Sequence, residues 1–179
     1  SFNNFNKISD QTLRVWSIIL KKVENSKLIL KSSINFNLED FRKKLKLYGM
    51  LKNVEIVEKN INFNNHLNQY DNIDLALDTF FFFFLTTTFE EIWKGVPVLS
   101  ILGFNFNSRC GSSILKNLGI DDLIAKNEDD YIAKAVYFSN NLQALKRLRD
   151  KVYDLALKSP LFDTKSFTID FENKINFIL

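Results

Sequence analysis

The sequence predicts an α/β fold: a parallel sheet flanked by helices. Three observations carry this. Short apolar runs alternate with helical patterns along most of the chain. The helical patterns end repeatedly at glycine, at Gly49, Gly95 and Gly119. The apolar run over 73–79 reads as a buried strand of a parallel sheet. With 179 residues the chain is long enough for one domain with a full core, and no linker or internal repeat divides it.

Taken in order, residues 1–6 read as the end of a strand and a loop, and Ser1 as an interior position of a longer protein. Ser9 can cap a helix over 10–24 with Leu13, Trp16, Ile19, Leu20 and Val23 on one face. Residues 26–31 (SKLILK) form a strand. Residues 38–48 form a basic amphipathic helix stopped by Gly49, and residues 54–57 a second strand. A short helix over 64–70 carries His66. Residues 73–79 are a buried strand, 86–94 a helix closed by Gly95, and 98–102 another strand. A helix spans 108–118 before Gly119, followed by a short apolar piece over 120–125. Helices over 129–138, 142–157 and 167–177 complete the chain. Three helical segments in succession suggest a cap or a return to a neighbouring domain.

Composition narrows the function. The net charge of +3, with lysines scattered, does not point to nucleic acid. One cysteine and one histidine rule out an internal disulfide framework, a Cys-rich metal site and a multi-His metal site. No signal peptide is visible, and no apolar run reaches the roughly 18 residues of a membrane span. The expectation is a reducing, cytoplasmic setting with no membrane span.

The organising stretch is 73–98, IDLALDTFFFFFLTTTFEEIWKGVPV. It reads as strand, loop, helix and strand, with the loop at the carboxyl end of a strand. Ligands of open α/β sheets bind at that edge. A helix starting at Thr86–Thr87 presents free N–H groups and a partial positive charge suited to phosphate. Glu90, one turn further on, can accept hydrogen bonds from sugar hydroxyls. The same spacing also fits an ordinary capped helix with a solvated glutamate.

Several segments together resemble a known family. SFNNFNKIS, HLNQYDNIDLALDTF, TTTFEEIWKGVPVLSILG, SRCGSSILKNLGIDDLIA and SPLFDTKSF are similar, in order, to the C-terminal half of the catalytic region of O-GlcNAc transferases and SPINDLY-like relatives. The resemblance covers residues 1 to about 175. It implies the Rossmann-like C-terminal domain of a GT-B glycosyltransferase, which holds the donor UDP-N-acetylglucosamine (UDP-GlcNAc) without a metal cofactor. The family transfers N-acetylglucosamine to Ser or Thr hydroxyls of proteins with inversion.

The same resemblance assigns residues. Lys7 matches the lysine at the donor pyrophosphate and is the catalytic candidate, offsetting charge as UDP leaves. Asn4 falls where a relative has a polar amide near the phosphates. Ile61, Asn62 and Phe63 occupy the uracil-site segment. His66 matches the histidine lying against the base, although a lone histidine there is also an ordinary surface or core residue. Gln69 stands where some relatives have arginine. Leu85, Thr86 and Thr87 fall on the phosphate-contacting stretch, and Glu90 on the ribose-binding acid. Arg109 matches a family arginine to which no role attaches. Trp93 and Cys110 read as core residues.

The central loop departs from the family. Where relatives read D-T-x-P-x-N-G-T/H-T-T, this chain has Phe80 to Phe84 and then Leu85. Phenylalanine resists the backbone conformations that glycine allows. The loop is degenerate and the domain a non-catalytic packing or partner-binding module, or the pocket is rebuilt with apolar walls, or the run traces to an error in a T-rich stretch of gene. The family's acceptor side, its proposed catalytic histidine and its tetratricopeptide repeats belong to preceding domains. The chain alone is therefore expected to bind donor at best.

Overall fold

The computed structural model describes residues 1–32, 37–57, 62–80 and 85–179, and of Phe63 only the backbone. The predicted Ile61 site and the Phe81–Phe84 part of the loop lie outside the described residues.

Helix α1 (Asp10–Lys22) begins where the sequence places it, with the Ser9 side chain accepting from the Thr12 N–H. Its inner face buries Leu13, Val15, Trp16 and Ile19. Strand β1 (Leu28–Lys31) pairs in parallel with β2 (Val54–Val57) across the intervening helix α2 (Leu38–Leu47). Helix α2 turns only Phe41 and Leu45 inward, so its basic face is solvated as the sequence suggests. Gly49 then takes φ +69°, a left-handed turn that side chains resist.

Helix α3 (Phe63–Asn68) continues as a 3-10 turn over Gln69–Asn72. Strand β3 (Ala76–Leu77) is much shorter than the apolar run implies. Helix α4 (Leu85–Trp93) follows, and then β4 (Val98–Ile101). Helix α5 (Cys110–Asn117) is preceded by a 3-10 turn over Asn107–Arg109. Residues 124–125 form strand β5 (Ile124–Ala125), which pairs in parallel with β4. The second sheet therefore runs β3-β4-β5, all parallel. Helices α6 (Glu128–Asn140), α7 (Leu142–Lys158) and α8 (Thr164–Ile178) end the chain.

The abundant asparagine finds a use at helix starts. Asn37, Asn62, Asn127 and Asn141 each accept backbone N–H bonds at an N-cap. The core gathers α1, α6 and both sheets around Trp16, Tyr70 and Tyr131, with Leu13, Leu30, Leu99 and Leu123 between them. Helix α8 stands apart: it buries no residue, and Phe167, Phe171 and Phe177 are exposed. Trp93, expected in the core, is 45% exposed. It lies at the end of α4, edge-on to Tyr153 at 5.3 Å between centroids. Cys110 is only half-buried, its thiol 3.6 Å from the Phe106 carbonyl.

Candidate functional site

Within each sheet the strands run parallel, and the residues of interest lie at or just beyond the carboxyl ends of β1, β2 and β3 or on the helices that follow. Residue 31 ends β1, α3 follows β2, and Asp78 follows β3 directly. Two clusters form there.

In the first, His66 of α3 meets Glu90 of α4, with Nε2 at 2.8 Å from Oε2. The Tyr70 hydroxyl donates to the same oxygen at 2.9 Å. Tyr70 is buried, and burial together with the neighbouring Glu91 and Glu90 carboxylates pushes its phenol far above the ordinary value. It stays a neutral donor. Among the described residues, Glu90 Oε1 accepts no hydrogen bond, so one carboxylate oxygen is committed and the other is open. The ring of Phe2 tilts over Tyr70 at 4.8 Å and stands 6.3 Å from His66. Glu91, the next residue, turns inward instead, and burial pushes its carboxyl up to about 8. Adjacent acids on one helix thus have opposite surroundings.

In the second cluster, Asp78 is buried at the end of β3. It accepts from the Thr79 N–H at 2.9 Å, the Ser100 hydroxyl at 3.1 Å and the Asn3 amide at 3.5 Å. Burial outweighs these bonds and pushes its carboxyl up to about 7. Gly111 packs against this group. A Cβ there would lie 2.4 Å from Ser100 Oγ and 2.7 Å from Asp78 Oδ2. Lys7, half-buried at the end of a 3-10 turn, feels the Asp78 charge. Burial lowers its ammonium pKa, and Asp78 opposes that shift.

The expected residues distribute as follows. His66 and Glu90 come together. Lys7 sits in the electrostatic reach of Asp78. Asn4 spends its side-chain oxygen on the Asn6 N–H at 3.0 Å, which shapes the turn bearing Lys7. Asn62 caps α3, accepting from Asn64 and Asn65, so its role here is to start the helix that carries His66. Gln69 is half-buried, and its buried Oε1 has no partner among the described residues. Leu85 and Thr86 are exposed at the start of α4, Thr87 is half-buried and Thr88 is buried. Arg109 is exposed. Phe80, the described member of the aromatic run, turns into the core and packs edge-on against Tyr131 at 5.1 Å. Among the described residues no group of three or more His, Cys, Asp or Glu side chains could hold a metal ion.

Sequence reasoning missed Tyr70, Asp78 and Lys31. Tyr70 lies four residues after His66, the helical step that places two side chains on one face. That spacing was the available signal.

A parallel α/β sheet with a carboxylate, an imidazole and a cation along its carboxyl edge is of the class that binds nucleotides at that edge. The comparisons narrow the class. The profile of glycosyl transferase family 41 matches residues 1–171, and the chain belongs to that family. It is 37% identical over 177 residues to a probable UDP-N-acetylglucosamine–peptide N-acetylglucosaminyltransferase SPINDLY from Eustoma exaltatum subsp. russellianum, covering 96% of this chain and 19% of the relative. It is 31% identical over 174 residues to a UDP-N-acetylglucosamine–peptide N-acetylglucosaminyltransferase from Caenorhabditis elegans, covering 97% and 15%. Among solved structures, a lysine-to-methionine mutant of the O-GlcNAc transferase from Thermobaculum terrenum superposes with a TM-score of 0.89 at 27% identity, over 97% of this chain and 34% of that one. The chain spans about a fifth of the length of the SPINDLY relatives it matches. Among the described residues no helix is long and apolar enough to cross a membrane.

Proposed function

We propose that this chain is the donor-binding domain of a protein O-GlcNAc transferase: it holds UDP-GlcNAc while domains that precede it in the whole protein present a Ser or Thr hydroxyl. The observation that carries the reading is the meeting of His66, Glu90 and Tyr70 at 2.8 and 2.9 Å on the carboxyl edge, beside the start of α4. Family membership gives the chemistry its class.

In this reading the uracil lies against His66 and the open oxygen of Glu90 accepts from ribose hydroxyls. Asn62 and Gln69 line the base end. The diphosphate meets the α4 start at Leu85, Thr86 and Thr87, with Asn4 and Lys7 opposite. The acceptor oxygen forms its bond to the anomeric carbon as the bond from that carbon to the UDP β-phosphate oxygen breaks, inverting the centre. The hydroxyl proton leaves to a base outside this chain. Lys7 offsets the charge gathering on UDP, and the fixed nucleoside supplies orientation. No metal takes part, and the whole protein works in the cytoplasm.

Titration calorimetry with UDP tests this. The wild-type chain is expected to bind, and Lys7→Ala to bind more weakly. No binding by the wild type, or equal binding by Lys7→Ala, would remove the assignment.

A second reading rests on the run Phe80–Phe84, which replaces the family's Pro, Asn and Gly: the domain is degenerate and serves as a packing or partner-binding module. Restoring those residues separates the two. UDP binding that arises only after restoration favours decay.

A further inference from the structure

The carboxyl end of β1 carries a charged residue that the donor-site reading does not use. Strand β1 reads Leu28-Ile-Leu-Lys31. Its last residue is a lysine only 7% exposed. A buried ammonium is costly unless it is given partners. Here Nζ contacts Nδ1 of His66 and lies 5.6 Å from the centroid of the Phe2 ring, whose face favours a cation.

The chemistry of these partners fixes the direction of every bond. An ammonium can only donate, so Nδ1 of His66 must be the bare, accepting nitrogen. An ionised carboxylate can only accept, so Nε2 must carry the proton given to Glu90. Tyr70 donates to the same carboxylate oxygen. The result is a directed chain from Lys31 through His66 to Glu90, with Tyr70 joining at the end. It links three successive excursions from the sheet: the end of β1, helix α3 and helix α4.

We propose that Lys31 is a positioning residue. It holds the chain's sole histidine as the Nε2–H tautomer and so fixes the imidazole plane and the Glu90 carboxylate for a nucleoside diphosphate. The ligand half of this statement rests on the donor-site reading above; the tautomer half does not. Without the Lys31 donor the ring keeps its bond to Glu90 and its edge contact with Tyr70 but loses the charged donor at Nδ1 that sets its tautomer and tilt. The ring face and the open Glu90 oxygen then lose their fixed relation.

The single histidine makes the test clean. Ring-15N-labelled, ligand-free chain is examined by long-range proton–nitrogen correlation as wild type, Lys31→Met and Lys31→Arg. The expected wild-type spectrum shows a pyrrole-type Nε2 and a pyridine-type Nδ1 shifted by an accepted hydrogen bond. In Lys31→Met, Nδ1 moves to the unbonded pyridine position and UDP binding by calorimetry weakens about tenfold, the scale of one charged hydrogen bond. Lys31→Arg, which keeps a cationic donor, recovers most of both. Lys31→Gln replaces Lys31→Met if the methionine variant loses the dispersed amide spectrum of a folded chain.

A proton on Nδ1 in the wild type overturns the proposal. So does an Nδ1 shift unchanged in Lys31→Met, even with weaker UDP binding, because that pattern makes Lys31 a direct ligand contact. Unchanged UDP affinity overturns the positioning role. A wild-type chain that binds no UDP removes the donor-site reading, while the ring-nitrogen result still decides the tautomer.

Discussion

The two ends of the carboxyl edge are built differently. At the end we propose for the nucleoside, His66, Glu90 and Tyr70 close on one another with ordinary hydrogen bonds, and Lys31 and Phe2 back them. At the end we propose for the phosphates, the cation Lys7 feels a buried carboxyl, Asp78, whose charge burial disfavours, and Leu85 and Thr86 of α4 are exposed. The first end joins its members by hydrogen bonds to one carboxylate; the second sets a cation in the field of a buried carboxyl. Preorganised contacts give orientation whether or not phosphate is present. A field acts on charge alone and weakens with salt. Uridine should therefore feel the first end and only UDP the second.

The largest effect is expected from Glu90→Ala. It strips the shared acceptor from two donors at once, and leaving buried donors unmet is expensive. UDP and uridine affinity should both fall, UDP by roughly a hundredfold, read by calorimetry. Lys7→Ala comes next: UDP binding falls about tenfold at low salt and uridine binding does not change. Equal losses for uridine in both variants would erase the distinction between the ends.

Gly111→Ala tests the packing under the phosphate end. Its Cβ would press on Ser100 Oγ and Asp78 Oδ2, and we expect about 1–3 kcal/mol of destabilisation in thermal or urea unfolding. Asp78→Asn tests the charge itself. Burial raises the folded pKa of Asp78 to about 7, above the ordinary carboxyl value near ~4. Between these values the folded state binds more protons, so the Asp78 contribution is complete below the unfolded pKa and is lost as pH rises towards about 7. The stability of Asp78→Asn relative to wild type should therefore improve as pH rises through that window. A flat difference would mean that Asp78 does not titrate there. The smallest effect belongs to Lys43→Ala: its pairs with Glu39 and Asp40 on α2 are exposed, so the unfolding midpoint should not differ from that of wild type.

Much of the fold was legible because its signals are local. Ser9 caps α1, and Gly49, Gly95 and Gly119 take positive φ just past helix ends, as their positions imply. The apolar run at 73–79 was read as a strand throughout, yet only Ala76–Leu77 pair. On one flank the Ile73 carbonyl accepts from Arg149 instead of a strand; on the other the ladder ends where the Asp78 N–H donates to the Leu99 carbonyl at 3.1 Å. The strand at 124–125 was too short to show a period. Trp93 was misread because aromatic character signals burial only on average; here the ring sits at the end of its helix against other rings.

The site divides along the same line. Resemblance proposes roles for single positions such as Lys7, His66 and Glu90. The pairing of His66 with Glu90, 24 residues apart, could not be read from local spacing, and neither could the reach of Lys31 across the sheet edge. Such contacts depend on how the excursions from successive strands lean together.

The central claim is that a uridine nucleotide lies against His66. The most direct measurement follows the carbon-bound ring protons of this one histidine as UDP is added. The account predicts a saturable shift that also occurs with uridine at higher concentration and is abolished in Glu90→Ala. Ring signals that stay fixed while UDP binding is detected by calorimetry would place the nucleotide elsewhere and contradict it.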